Sequence, residues 1–314
     1  MQGNLNKYYK SPIVLIIGFF FVHQFCFAQA STRLFEIPDS ISKVRTRSVI
    51  GISSIGTGVT LGVLSKEWYG DYQTVPFHFF NDNDEWLQMD KLGHGLASFY
   101  GGFYGYNVLK WAGVNEKKAI FYGGMYGFSF LLATEIMDGF SPAWGASGVD
   151  VLSNGLGTGL FMIQQLYFHK QIVTPKFSYW PTQYASYRPS LLGDSHWNRW
   201  LKDYNGQVYW LSFSLSDMNV NSKFLPKWLS LAIGYSGDGM VGGSSNPLIN
   251  EEGEVLPFFN RQRELYVSID LNFQNIKTKS HFFNAVLKGI SFIKFPAPAF
   301  RFRKEGVKFI PIQY

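Results

Sequence analysis

The sequence predicts an α+β protein: an N-terminal bundle of four apolar helices, followed by a C-terminal antiparallel β-rich region that forms a sheet or a partial barrel. Two observations carry this. Long apolar stretches with helical periodicity and short connections occupy the chain up to about residue 175, whereas alternating apolar and small or polar residues dominate after it. A third observation, the aromatic content of 18% beside only 16% charged residues, suggests lipid-facing or interfacial surface, because aromatic rings collect at the headgroup level.

The first thirty residues read as an export signal. Lys7 and Lys10 supply a basic start, Pro12 to Phe27 an apolar core, and Ala28-Gln29-Ala30 a small-x-small cleavage site. The only cysteine, Cys26, follows His23-Gln24-Phe25 and lacks the small neighbour that a lipid-modified cysteine carries. Cleavage after Ala30 therefore leaves a chain without cysteine, which excludes disulfides, cysteine–zinc sites and thiol catalysis. It also lowers the formal charge from +6 to +4 with the loss of two lysines. No long Lys/Arg run is present, so nucleic acid is not an expected partner. The expected organisation is a signal peptide over 1–30, a helical domain over 31–175 and a β-rich region over 176–314.

The four apolar segments run from Ser48 to Leu64, Lys91 to Ala112, Lys118 to Met137 and Ser147 to Phe168. Glycines at 101, 102, 105, 123, 124, 127, 155, 157 and 159 interrupt them. In a tightly packed bundle such residues form close helix–helix contact faces. Between the first two segments lies an aromatic-dense stretch whose NDNDE run at 81–85 reads as a solvated turn, since the spacing of an EF-hand calcium loop is absent. Strands are expected around Tyr209–Ser216, Leu229–Ser236 and Leu265–Phe273, with a terminal hairpin turning at Lys304-Glu305-Gly306 and short helices at 195–204 and 281–289. The alternation fits a sheet packed on one side. It equally fits an outer-membrane barrel, although a closed bacterial barrel takes at least about eight strands.

Polar residues gather where the last three helices turn around. Asp90, His94 and Ser98 share one face at four-residue spacing, with Lys91 beside them. Glu135 and Asp138 end the third apolar segment, where the helix dipole disfavours anions. Ser147, Asp150 and Asn154 open the fourth, and Ser147 with Asp150 also matches a Ser-x-x-Asp cap. Antiparallel order brings all three sets to one end of the bundle. His94, Glu135, Asp138 and Asp150 are the candidate catalytic groups; Asp90, Lys91, Ser98, Ser147 and Asn154 are candidate substrate contacts. Four carboxylates with one lysine and one histidine cannot all stay charged in a low-dielectric pocket. Some must hold protons, or a divalent cation such as Mg, Mn or Ca compensates.

The order D-K-x-x-H, then an acidic pair, then S-x-x-D-x-x-x-N-x-x-G resembles the YfiM-like family of periplasmic or outer-membrane proteins over about residues 45–170. It is also similar to VanZ-like membrane proteins, which share the D-K-x-x-H opening and the D-x-x-x-N-x-x-G close. The resemblance implies a four-helix membrane-associated domain with inward polar residues, an arrangement shared with lipid-headgroup transferases such as phosphatidylserine synthases. The function expected from it is lipid-headgroup phosphoester hydrolysis or transfer in the cell envelope, with membrane lipid as partner and an outer-membrane or periplasmic location. The alternative is a non-enzymatic envelope protein whose polar cluster is a buried structural network.

Overall fold

A computed structural model describes residues 36–69, 73–218 and 225–314; the expected export signal lies outside them. Helix α1 spans Lys43–Tyr69, α2 Met89–Trp111, α3 Glu116–Asp138 and α4 Gly148–Phe168. Their ends follow local chemistry. Asn115 caps α3 by accepting from the Lys117 amide at 3.1 Å, and Ser147 caps α4 by accepting from the Asp150 amide at 3.2 Å. Gly113, at φ +80°, turns the chain out of α2. A Cβ there would sit 2.4 Å from the Ser40 carbonyl, so only glycine fits.

The α2–α3 contact is backbone on backbone. A Cβ on Gly101 would lie 2.7 Å from Gly127 Cα, and one on Gly127 would lie 2.8 Å from Gly102 N. Small residues thus let these two helices approach as no larger pair could. Helix α4 closes the bundle over a core of Phe99, Tyr100, Phe103 and Phe161. Helix α1 touches this unit more lightly: Val49 packs with Ala112, Val114 and Ala119, while Ile50, Ile55 and Val59 remain exposed. By length and composition, Lys43–Lys66 and Glu116–Asp138 could each cross a membrane, but the second is a packed helix of the bundle.

The β-rich half is a six-stranded antiparallel meander in sequence order, β1 Val173–Tyr179, β2 Gln207–Ser214, β3 Leu229–Asp238, β4 Gln262–Leu271, β5 Ala297–Arg303 and β6 Gly306–Gln313. Short helices α5 (Pro189–Leu192), α6 (His196–Lys202) and α7 (His281–Gly289) sit in its connections. The expected strands, the terminal hairpin and both short helical interludes are present. The register sets the apolar residues of neighbouring strands side by side: Leu211 opposite Ile233, Leu231 opposite Ile269, Val267 opposite Phe300, and Phe300 opposite Phe309.

The orientation of that alternation is the unexpected feature. In β2, β3 and β4 the small and polar residues are the buried ones. Ser212, Ser214, Ser230, Ser268, Glu264 and Asp270 are enclosed, whereas Leu211, Leu231, Ile233, Leu265 and Ile269 are exposed. The polar groups pair internally. Lys176 Nζ lies 2.7 Å from Asp270 Oδ2, and Ser212 donates to the same oxygen at 2.6 Å. Lys294 Nζ donates to the Ile269 carbonyl at 2.9 Å. Glu264 is held by Arg303 and by Arg301, the latter at 3.4 Å. Trp210 and Tyr266 fill the space between these pairs, with Ala232 and Ala299 making room for them.

Candidate functional site

Antiparallel packing brings the start of α2, the end of α3 and the start of α4 together. Lys91 lies at the centre. Its ammonium pairs with Asp82, with Asp90 Oδ2 at 3.1 Å and with Asp150 Oδ1 at 2.8 Å. Burial opposes the charge, but Asp90, Asp150 and Asp82 outweigh it and hold the ammonium well above lysine's ordinary range. Lys91 is thus a permanent counter-ion.

His94 lies one turn further along α2. Its Nδ1–H donates to Asn154 Oδ1 at 3.1 Å. Its Nε2 faces three carboxylate oxygens, Glu135 Oε1 at 3.7 Å, Asp90 Oδ1 at 3.9 Å and Asp150 Oδ2 at 4.0 Å. These separations exceed hydrogen-bonding distance. The Nε2 atom therefore borders a small gap walled by acceptors. Burial works against a charged imidazole, yet Asp90, Asp150 and Glu135 raise its pKa above 6.5. Coordinating atoms of Asp90, His94 and Asp150 all lie within 4.8 Å of one another, so these three could hold a metal ion. The donor set, one imidazole with carboxylates, suits Mg, Mn or Ca.

The carboxylates divide by environment. Burial raises Glu135 to about 7, even though its Oε2 accepts from the Ser147 amide at 3.1 Å. Burial, followed by repulsion from Asp90, raises Asp150 to about 6. For Asp90, burial is outweighed by His94, Lys91 and Tyr204, which keep it below 3.8. For Asp82, burial is outweighed by hydrogen bonds from Lys91 and Ser147. Two fixed anions thus stand beside two carboxyls that can carry protons near neutrality, which is the separation that acid–base chemistry uses.

The other expected site residues take distinct places. Ser147 has two roles, capping α4 and donating its hydroxyl to Asp82 Oδ1 at 2.6 Å. Asp138 sits at the end of α3, where its charge helps raise Glu135. Ser98 lies deeper, bonded to the Asn154 carbonyl at 2.7 Å and to the Thr158 hydroxyl at 2.6 Å, so its hydroxyl ties α2 to α4. Asn154 is fully buried, and its Nδ2 has no hydrogen-bond partner among the described residues. A donor in that state is a place for an incoming oxygen acceptor.

Two site residues escaped the sequence reading. Asp82 belongs to the NDNDE run, whose composition predicts a solvated turn; in the structure it binds Lys91 and Ser147. Tyr204, 114 residues from Asp90 in sequence, donates its phenol to Asp90 Oδ1 at 3.0 Å, and no local pattern marks it. The turn before α2 is also unusual. Trp86, Leu87 and Gln88 have φ of +48°, +51° and +66°, a left-handed run that costs side-chain-bearing residues about 1–3 kcal/mol each. It is held from the β-rich half: the Trp86 amide donates to the Gly243 carbonyl at 2.9 Å, Tyr235 to the Leu87 carbonyl at 2.6 Å, and Arg263 to Gln88 Oε1 at 2.8 Å.

Residues 78–165 match the model of a family described as predicted periplasmic lipoproteins, DUF2279. The matched segment contains Asp82, Asp90, Lys91, His94, Glu135, Asp138, Ser147, Asp150 and Asn154, and stops before the sheet. The match supports an exported, envelope-associated protein of a periplasmic lipoprotein-like kind. Cys26, with Phe25 in place of a small residue before it, is at odds with the lipoprotein part of that description. No curated protein and no solved structure matches the chain.

Proposed function

We propose that this envelope protein carries out phosphoester hydrolysis or transfer on a lipid head group at the outer-membrane or periplasmic face, using the cluster at the end of the helical bundle. The carrying observation is the arrangement around His94 Nε2, with three carboxylate oxygens at 3.7, 3.9 and 4.0 Å. Asp90, His94 and Asp150 offer ligand atoms within 4.8 Å of one another, and a divalent cation held there would offset the negative charge that otherwise repels a phosphate. Asp90, His94 and Asp150 would hold it, with Glu135 at its edge. Glu135, whose carboxyl burial pushes upward, would give a proton to a leaving alkoxide. His94 serves as general base or nucleophile when neutral and as an ion ligand when the cation is bound. Asp150 orients it or shares the cation, and Asp138 tunes Glu135. The unpartnered Asn154 Nδ2 and the Lys91 ammonium would each contact a phosphoryl oxygen. Kinship with the YfiM-like and VanZ-like proteins belongs to the same proposal.

One observation favours a second reading, a non-enzymatic protein with a structural network: Lys91 already pairs with three carboxylates and has little capacity left for a ligand. The test is head-group release from phosphatidylglycerol and phosphatidylethanolamine by the purified protein with Mg²⁺ or Mn²⁺, together with the envelope lipid composition of a deletion strain. Under the enzymatic reading, His94→Ala and Asp150→Ala keep the fold and lose at least about a hundredfold in rate, the scale of a general acid–base contribution. No release in vitro and unchanged lipids in the deletion strain and both variants would overturn it.

A further inference from the structure

The two edge strands of the sheet are drawn together at one aromatic contact, and its polarity is inverted. Six flat strands about 4.8 Å apart would separate β1 from β6 by roughly 24 Å. Instead Trp180, just after β1, stacks on Tyr314, just after β6, with ring centroids 4.4 Å apart. The outer edge of β1 is bridged by Ile293 opposite Phe177. Lys294, the next residue, reaches across to the β4 carbonyl of Ile269. The sheet is therefore curled around its charged interior, and its convex outer surface carries the apolar residues.

That outer surface is continuous through the register from Leu211 and Ile233 to Leu231, Ile269, Val267, Phe300 and Phe309. Six of these, all but Val267, are exposed by between 41% and 54%. A face spanning five strands and about five residues of each measures roughly 400 Å², within the range of about 300–600 Å² of the largest apolar patch on a monomer, which is often functional. In water the stable arrangement is the reverse, with serines and charges outside and leucines inside. A flat partner or second copy covers one side of a convex surface, whereas lipid acyl chains follow its curvature. At one end the face runs into the site: on β2, Leu211 is followed on the same side by Tyr209, whose hydroxyl lies 3.0 Å from where a Gly93 Cβ would be, one residue from His94.

We infer that the convex outer face of the curled sheet is a lipid-contacting surface, with Leu231, Ile233, Ile269 and Phe300 against acyl chains and the Lys176–Asp270–Lys294 cluster sealed inside. The inference stands on the sheet alone and survives if the site proves not to be catalytic.

It is tested in the full chain carrying Cys26→Ser, with an environment-sensitive fluorophore placed on Leu231→Cys, Ile269→Cys or, as a control, the exposed Lys118→Cys. Vesicles of phosphatidylethanolamine and phosphatidylglycerol, with and without brominated acyl chains, are the probe. The expected result is a blue shift and at least twofold quenching by brominated lipid at positions 231 and 269, with neither at 118. Separately, Ile269→Glu should lower the quenching at 231 while circular dichroism stays that of the parent. Vesicle-bound protein with no quenching at either sheet position would overturn the inference. So would burial of both labels in lipid-free buffer within a dimer that Ile269→Glu dissociates, since a second copy would then be the occupant.

Discussion

The Tyr204 phenol donates to Asp90 Oδ1 at 3.0 Å, so a residue from the connection before β2 completes a carboxylate on α2. The Tyr204 pKa lies well above 10.0, through burial and then the Asp90 charge, so it remains a donor throughout the working range. Tyr204→Phe keeps the ring and removes one hydrogen bond to an ion, worth about 1.5–3 kcal/mol. Urea denaturation should show a loss of that size. An Asp90 carboxyl signal that titrates at higher pH in the variant would identify the lost bond as its source.

Lys91 is the second point of leverage. Lys91→Met leaves Asp82, Asp90 and Asp150 without their shared cation, and breaking a buried pair on one side costs about 3–5 kcal/mol. The loss should shrink as pH falls, because protonated carboxyls no longer need the ammonium. Melting temperatures at neutral pH and in mild acid test both statements; a loss independent of pH would assign the effect to packing.

The pH dependence of stability has a definite sign. Glu135 moves from 4.5 to about 7 and Asp150 from 3.8 to about 6 on folding, so between the low and high values the folded state binds more protons and stability falls as pH rises. His94, also raised, adds stability that is full below 6.5 and is lost as pH climbs through its folded value. Asp82 and Asp90 are lowered, and their contribution is lost in strong acid. Through Glu135, Asp150 and His94, stability should therefore fall as pH rises from mild acid toward pH 8. Glu135→Gln should flatten the fall toward pH 8 in calorimetric scans.

Packing beside the site is equally exacting. A Cβ on Gly157 would lie 2.0 Å from the Gly95 carbonyl oxygen, where α2 and α4 cross next to His94 and Asn154. Gly157→Ala must push those helices apart. Overpacking of this kind costs about 1–3 kcal/mol. The denaturation midpoint should drop accordingly, and the His94 ring signals should shift as its bond to Asn154 lengthens.

Much of this architecture is legible in the chain itself. Apolar runs and caps locate α2, α3 and α4, and chain direction alone brings Asp90, Glu135 and Asp150 to one end. The alternation of Leu229 to Ser236 marks β3 but does not say which face is inside, because periodicity records two faces and not the solvent each one meets. Strand β1 is harder still, since its central residues Thr174–Ser178 are all buried and the sequence there shows no clean alternation. Asp82 looks like any loop aspartate until Lys91 and Ser147 fold against it. Tyr204 joins the site through tertiary contact alone.

The left-handed turn at Trp86, Leu87 and Gln88 bears on the order in which the molecule assembles. Those three residues have little reason to adopt that conformation before Gly243, Tyr235 and Arg263 are in place to hold it. The placement of Asp90 and Lys91, which follow that turn directly, therefore depends on contacts supplied by the β-rich half. The segment matched by the family model thus contains the lysine, the histidine and every carboxylate of the cluster, yet the turn that sets their register is held by Tyr235, Gly243 and Arg263 from the other half of the chain.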